Sequence, residues 1–210
     1  MLTINGSNSG RVVDSGTDPL GRFCWLALRG HRDEGWLIIS AYRVSQTSSH
    51  NAGATTAYTQ QYTALRAMGK SRPDPRWQIL LDMEDLIGRF RAKGFRPIIG
   101  MDANGDWKGK RPDMQMTRFI ERCGLVDPFL DKFQVSTRTY INGPNRLDFW
   151  LMDAVAVPAI RGIGYLGTHE GAANADHVLG WVDFDERVLF QGVINRPVQL
   201  HSREFLIEQD

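Results

Sequence analysis

Cysteine is scarce. Cys24 and Cys123 are the only two in 210 residues, and they lie far apart without metal-ligand spacing. That excludes a cysteine-rich metal cluster and gives no support to a disulfide-framed secreted scaffold, although a single bridge stays open. Cys24 lies in an apolar run and reads as a small core residue. Net charge is also nearly absent, at +1, so the whole-chain field does not draw in polyanions. A polyanion site would have to come from local clustering. Lys108, Lys110 and Arg111 form such a cluster, with a solvated basic loop as the plainer reading. No apolar run reaches membrane-spanning length. Residues 1–14 are polar and rich in Gly and Ser, which excludes a secretory signal. Internal repeats and low-complexity segments are missing as well.

What is present suffices for a globular domain. Hydrophobic residues make up 42% of the chain and charged residues 23%, enough apolar material for a sizeable core. The length fits one domain over 1–187, with 188–210 as a tail or linker.

Periodicity predicts the elements. Residues 10–13 suggest a short strand. Phe23–Arg29 and 36–42 read as a hairpin with a charged turn. Residues 44–53 read as a surface loop. Residues 55–68 show helical spacing, with Tyr58, Tyr62, Leu65 and Met68 on one face. A second helix is expected over 75–93, opened by Pro75 and patterned by Trp77, Leu80, Leu81, Glu84, Ile87 and Arg91. A strand follows at once, which makes an α/β unit. Residues 114–123 predict a helix, 125–128 an exit turn, 137–140 a short strand and 142–145 a turn. Residues 146–152 predict a strand, 154–164 a strand and loop, and 178–184 a final strand.

The central stretch is Ile98-Ile99-Gly100-Met101-Asp102-Ala103-Asn104. A short apolar run ends in a carboxylate and, two positions on, a carboxamide that points the same way. Asp102 can hold a hard cation or accept a proton, and Asn104 can donate to a phosphate oxygen or position a water. An ordinary Asx turn explains this segment alone equally well. Further polar residues at strand ends are Tyr42, Asp148, Asp176 and His177, each beside an apolar run. Carboxylates in such places need a cation or a donor. Together the six suit phosphodiester chemistry: carboxylates for Mg²⁺, a His backed by an Asp for proton transfer, and Tyr and Asn for the charge on non-bridging oxygens.

In these motifs the sequence resembles the endonuclease/exonuclease/phosphatase superfamily of DNase I and exonuclease III. Residues 99–104 look like its Gly-Asp-Phe-Asn segment. Arg146-Leu147-Asp148-Phe149-Trp150-Leu151 looks like its Arg-Ile-Asp-Tyr-Ile-Leu strand, and Asn174-Ala175-Asp176-His177 like its Ser-Asp-His segment. Tyr42-Arg43 falls where that family has a phosphate-side Tyr, and Thr139-Tyr140 resembles its Thr-Trp or Thr-Phe pair. The ordered set spans about residues 20 to 185. The Ala41-Tyr42-Arg43 context, Gln60-Gln61 and His169-Glu170-Gly171 look most like endonuclease domains of non-LTR retrotransposons.

The resemblance implies an α/β fold, a four-layer α/β/β/α sandwich of two mixed sheets with the first sheet incomplete. It implies that Asp148 orients His177 toward the scissile phosphate. Asp102 handles the proton of the attacking water or leaving oxygen, with Asn104 beside it, and Tyr42 contacts the phosphate. Asp176 and Asp102 hold Mg²⁺ or Mn²⁺. It further implies a DNA-nicking domain without membrane attachment, from a retroelement polyprotein that carries a reverse transcriptase. Such a domain would be intracellular, and nuclear in a eukaryotic host. The family's opening strands, one ending in Asn and one in the main metal-binding Glu, find no match in residues 1–21, and Ala175 stands where the family has Ser. The expectation is therefore a chain that starts after both motifs, with reduced or no activity. Two rivals follow: a non-catalytic remnant binding nucleic acid through Arg43, Lys108, Lys110 and Arg111, and a phosphatase of the same fold acting on small phosphate esters.

Overall fold

Alternation along three strands decides the architecture. In a computed structural model, which describes residues 2–32, 34–45, 53–166 and 176–192, Val12–Thr17 (β1), Phe23–Arg29 (β2) and Gly35–Tyr42 (β3) form an antiparallel meander. Ala57–Ala67 (α1) and Pro75–Arg91 (α2) then carry the chain over to Phe95–Asp102 (β4), which runs parallel to β3. A parallel pair needs such a crossover. Met114–Arg122 (α3), Leu125–Val126 (β5), Pro128–Phe133 (α4) and Asp148–Asp153 (β6) follow. The mixed sheet has six strands in the order β1-β2-β3-β4-β6-β5. Ile160–Leu166 (β7) and Leu179–Phe184 (β8) make a separate two-stranded antiparallel sheet, and Glu186–Leu189 (α5) closes the described chain. The chain is thus α/β with two sheets. The strand-poor one is the sheet that the last two strands build.

The two faces of the large sheet differ. On one, Ala27, Leu37, Ile39, Ala41, Ile99, Met101, Phe149 and Leu151 are sealed under α2 and α3. On the other, Leu28, Trp36, Ile98 and Met152 form a smaller core with Ala156 and Phe190. Toward the far ends of β2, β3 and β4 this second face stays partly open. Cys24, Ser40 and Gly100 are only half-buried there. Cys24 is therefore not the core residue its apolar neighbours suggest, because the layer above it is thin.

Several elements depart from the sequence expectation. The buried face of α2 is Ile79, Leu80, Met83, Leu86, Ile87 and Phe90, and only Leu80 and Ile87 belong to the expected pattern. The helix lies along the sheet, so neighbours one apart in sequence can both be covered. On α1 only Leu65 is buried, and Met68 beyond its end is exposed. Where an exit turn is expected, the chain forms β5 and then α4. Asp127 caps α4 by accepting from the Leu130 N–H, and Pro128 takes the first helical position, a pair of start signals. Residues 154–159 form a 3-10 turn ahead of β7. Phe190 lies in the core, and the Trp36 indole N–H donates to the Leu189 carbonyl at 2.9 Å. Residues 46–52, 167–175 and 193–210, among them His169, Glu170, Asn174 and Ala175, lie outside the described residues.

Candidate functional site

Register builds the site. Tyr42, at the end of β3, stands opposite Asp102, at the end of the parallel β4, and Asp102 stands opposite Asp148, at the start of the antiparallel β6. The residues one step back, Ala41, Met101 and Phe149, point into the helix-side core. Side chains alternate across a strand, so Tyr42, Asp102 and Asp148 share the opposite, open face as one row across three strands. Asp102, Asp148 and Trp150 line a groove of about 360 Å³ on that face, together with Ser40, Gly100 and Tyr165.

His177 joins the row from a different part of the chain. It forms an isolated bridge with Tyr140, and the two rings lie 5.1 Å apart. Its Nδ1 is 2.8 Å from Asp148 Oδ2. Donor atoms of Asp102, Asp148 and His177 all fall within 4.8 Å of one another. Asp176, adjacent to His177, is exposed and is not part of this tight group. Its backbone carbonyl accepts from the Ile141 N–H at 2.9 Å.

Asn104 sits in the left-handed region at φ 45°, which Asn tolerates better than most residues. Its backbone N–H donates to Asp102 Oδ1 at 3.0 Å. Its side-chain amide donates to Asp102 Oδ2 at 3.2 Å and to the Arg43 carbonyl at 2.8 Å. One backbone and one side-chain N–H thus hold the two Asp102 oxygens, and the other side-chain hydrogen ties Asn104 to Arg43.

The electrostatics follow from burial and crowding. Burial, with the Asp148 charge adding to it, pushes the Asp102 carboxyl up to about 6 against the pull of the Asn104 N–H. Burial works against the charged form of His177, but its hydrogen bond to Asp148 and the nearby carboxylates outweigh it and raise its pKa. Burial and the Asp102 charge raise the Tyr42 hydroxyl, while Asn104 pulls it down. Burial outweighs the charges of His177 and Arg76, which pull the Asp102 carboxyl down.

A pH dependence of stability follows. A carboxyl whose folded pKa lies above its unfolded value favours the folded state less as pH rises between the two values, here about 4 to 6. His177, also raised, loses its contribution as pH climbs above 6.5 through its folded pKa. At about 1.4 kcal/mol per unit, and after a discount for the solvent that reaches Asp102, that carboxyl alone is worth on the order of 1–2 kcal/mol. Metal-free thermal melts are expected to give a midpoint about 5 °C higher at pH 5 than at pH 8. The Asp102→Asn variant is expected to flatten that difference. A wild-type midpoint that stays level or rises over this range sinks the reading.

Arg43 is not a surface cation. It is fully buried, donates to the Arg76 and Ala103 carbonyls at 2.9 and 3.1 Å, and pairs with Asp113 at 2.7 Å. Arg76 shares Asp113 at 2.9 Å and donates to the Asn104 carbonyl at 3.0 Å. Asp113 also caps α3. This network fixes the loop after β4 and removes Arg43 from any nucleic-acid contact. Lys108, Lys110 and Arg111 remain exposed, with the Lys108 Nζ 4.7 Å from the centre of the Trp107 ring.

Sequence reasoning missed the residues behind the site. Arg146 and Asp127 form a buried ion pair with contacts of 2.6 and 3.0 Å. Arg146 also donates to the Tyr165 hydroxyl at 2.9 Å, which donates to the Asp148 carbonyl at 2.7 Å. The helix-start pair Asp127-Pro128 was the one local signal for any of them.

No protein-family model and no curated protein matches the chain. Solved structures do. A 3′ phosphatase, NExo, from Neisseria, bound to a product DNA hairpin, aligns with a TM-score of 0.55 at 14% identity over 83% of this chain and 71% of that one. An AP endonuclease, LMAP, from Leishmania major aligns at 0.50 and 14% over 75% and 53%. The human Nocturnin catalytic domain aligns at 0.50 and 12% over 83% and 60%. The chain thus spans from about half to seven tenths of the length of these structures. It has the fold of the endonuclease/exonuclease/phosphatase proteins.

Proposed function

We propose that this chain is a divalent-metal-dependent phosphodiesterase domain that nicks DNA and derives from a retroelement polyprotein. The observation that carries the reading is the Asp148–His177 contact at 2.8 Å, placed directly across the sheet from Asp102. Two carboxylates and an imidazole within 4.8 Å of one another make a poor core and a good reaction centre. Asp148 holds the His177 ring by Nδ1, so Nε2 is the nitrogen that would meet a proton or a phosphate oxygen. Asp102, poised near neutrality, takes the proton of the attacking water. Asn104 holds both oxygens of Asp102 in place, and the exposed Tyr42 reaches the phosphate.

The residues fit a hard cation. Asp102 offers half-buried oxygen beside Asp148 and His177, with donor atoms within 4.8 Å of one another. Asp102 would hold Mg²⁺ or Mn²⁺, which needs oxygen ligands, and Asp176, outside that tight group, would add its exposed carboxylate from the residue before His177. When bound, such an ion offsets the charge that develops on the phosphate.

The likeness of Tyr42-Arg43 and its neighbours to non-LTR retrotransposon endonucleases supports the retroelement origin. A reverse transcriptase in the same polyprotein and, in a eukaryotic host, a nuclear site of action follow from that origin. Among the described residues no helix is long and apolar enough to cross a membrane. The exposed Lys108, Lys110 and Arg111 favour one second reading, nucleic-acid binding without cleavage.

Supercoiled plasmid incubated with the purified chain decides between them. Slow conversion to nicked circles with Mg²⁺ or Mn²⁺, reduced because no match to the family's main metal-binding Glu is found in residues 1–21, and none with EDTA is the expected result. Salt-sensitive binding without nicking supports the second reading instead. Phosphate release from a small ester without plasmid nicking moves the substrate class away from DNA.

A further inference from the structure

Asp148 begins β6, and its neighbour on the outer side, β5, reaches only Met152 and Asp153. Among the described residues the start of β6 therefore has a strand partner on one side only. On the other side a single hydroxyl takes the place of a strand. Thr139 Oγ1 accepts from the Leu147 N–H at 2.8 Å and from the Asp148 N–H at 3.0 Å. The same residue's carbonyl accepts from the Val178 N–H at 2.9 Å, and its own N–H donates to the Asn145 carbonyl at 3.2 Å. Thr139 is fully buried. It thus grips the amide of Asp148 with its side chain and the amide next to His177 with its backbone. Leu147, held by the same hydroxyl, accepts from the Ala103 N–H at 2.7 Å, which ties in the loop that carries Asp102.

We propose that Thr139 is the positioning residue of the site: its hydroxyl sets the start of β6 against the His177 segment, so that the Asp148 carboxylate meets the imidazole. The inference rests on the phosphodiesterase reading for its kinetic consequence, but its geometry stands apart from it. A buried amide that loses its acceptor must move to find another, and Leu147 and Asp148 would have to move together. The Asp148 carbonyl stays held by Tyr165, so the strand would pivot rather than detach. Displacement of about an ångström in a reaction centre costs about 10²-fold in rate.

Thr139→Val keeps the shape and removes the acceptor. Thr139→Ser keeps the acceptor and removes the methyl group. In single-turnover plasmid nicking with Mg²⁺, Thr139→Val is expected to lower kcat about 10²-fold with KM little changed, and Thr139→Ser to recover most of that loss. A residue that only supports the fold would lower the melting midpoint of both variants and leave the rate per folded molecule alone. Wild-type kcat in Thr139→Val, or a Thr139→Ser variant as slow as Thr139→Val, overturns the proposal. If no form of the chain nicks DNA, the phosphodiesterase reading fails and Thr139 is still decided by nitrogen-15 spectra of the imidazole at fixed pH. The Nδ1–H signature of a ring bonded to Asp148 is expected in the wild type and in Thr139→Ser and is lost in Thr139→Val. Its persistence in Thr139→Val overturns the proposal.

Discussion

Replacing His177 by alanine is expected to lower metal-dependent nicking by about 10²–10⁴-fold, the usual contribution of a positioned general acid or base. The ring is more than a quarter exposed, at 28% of its side-chain surface, so its removal opens no deep cavity and the melting midpoint should fall little. Asp148 then loses its partner, but its carboxylate, 22% exposed, can take up water in the space the ring leaves. Loss of rate with retention of fold is therefore the signature. Single-turnover nicking and a thermal melt on the same preparation check it. A variant that nicks within threefold of the wild type rules His177 out as the proton or phosphate partner. A variant that fails to fold shows that the Asp148 contact is structural. Alanine at Asp102 should give a loss of similar size, and the two losses should not add if both act on one proton transfer.

Removing the carboxylate of Asp127 is expected to have the largest effect on stability, about 4 kcal/mol, within the 3–5 kcal/mol typical of breaking a buried ion pair from one side. Asp127 and Arg146 are 2% and 1% exposed, so neither can recover water. The guanidinium is packed 4.8 Å from the Phe129 ring centre and 4.6 Å from that of Phe149. Burial opposes its charge, and the hydrogen bonds and charge of Asp127 more than compensate, which holds its pKa above the usual value. Asp127→Ala leaves that charge without a carboxylate, with the Tyr165 hydroxyl its remaining side-chain acceptor among aromatic rings. It also removes the cap of α4 and the acceptor for the Trp107 indole N–H at 3.3 Å. A fall of about 10 °C or more in the melting midpoint is expected. A double variant, Asp127→Leu with Arg146→Met, should recover much of the loss, because it removes the stranded charge with its partner. A single variant within about 1 kcal/mol of the wild type would show that water reaches the pair after all.

The sequence revealed some parts of this molecule and hid others for physical reasons. The end of β4 was legible because a short apolar run stops at Asp102, and β6 because Asp148 opens another. That these two and His177 meet could be anticipated from ordered motifs. Tyr42 was expected at the same site from those motifs, but its place in their row follows only from the parallel register of β3 and β4. Arg43 read as a surface cation, and Arg146 only as the start of a strand motif, because nothing local signals a buried guanidinium; their partners Asp113 and Asp127 lie 70 and 19 positions away. Thr139 was noticed only as half of a motif pair, and its part was hidden, since its hydroxyl bonds a strand that starts nine residues later. On α2 the periodicity revealed a helix but not its inner face. Asp127-Pro128 was misread because an exit turn and a helix start share the same two residues.

The row of Tyr42, Asp102 and Asp148 has a consequence for how such a protein can change over time. Its spacing is inherited from the ladder between strands, about 4.8 Å per step, and owes little to the loops nearby. Loops can lengthen, shorten or drift without altering the distance from one carboxylate to the other. A slip of β6 by a single position, however, would turn Asp148 into the helix-side core and Phe149 out toward the groove. The apolar residues that forbid that slip are therefore the true custodians of the chemistry. This accounts for how a shared architecture can persist where only 14% of the letters agree.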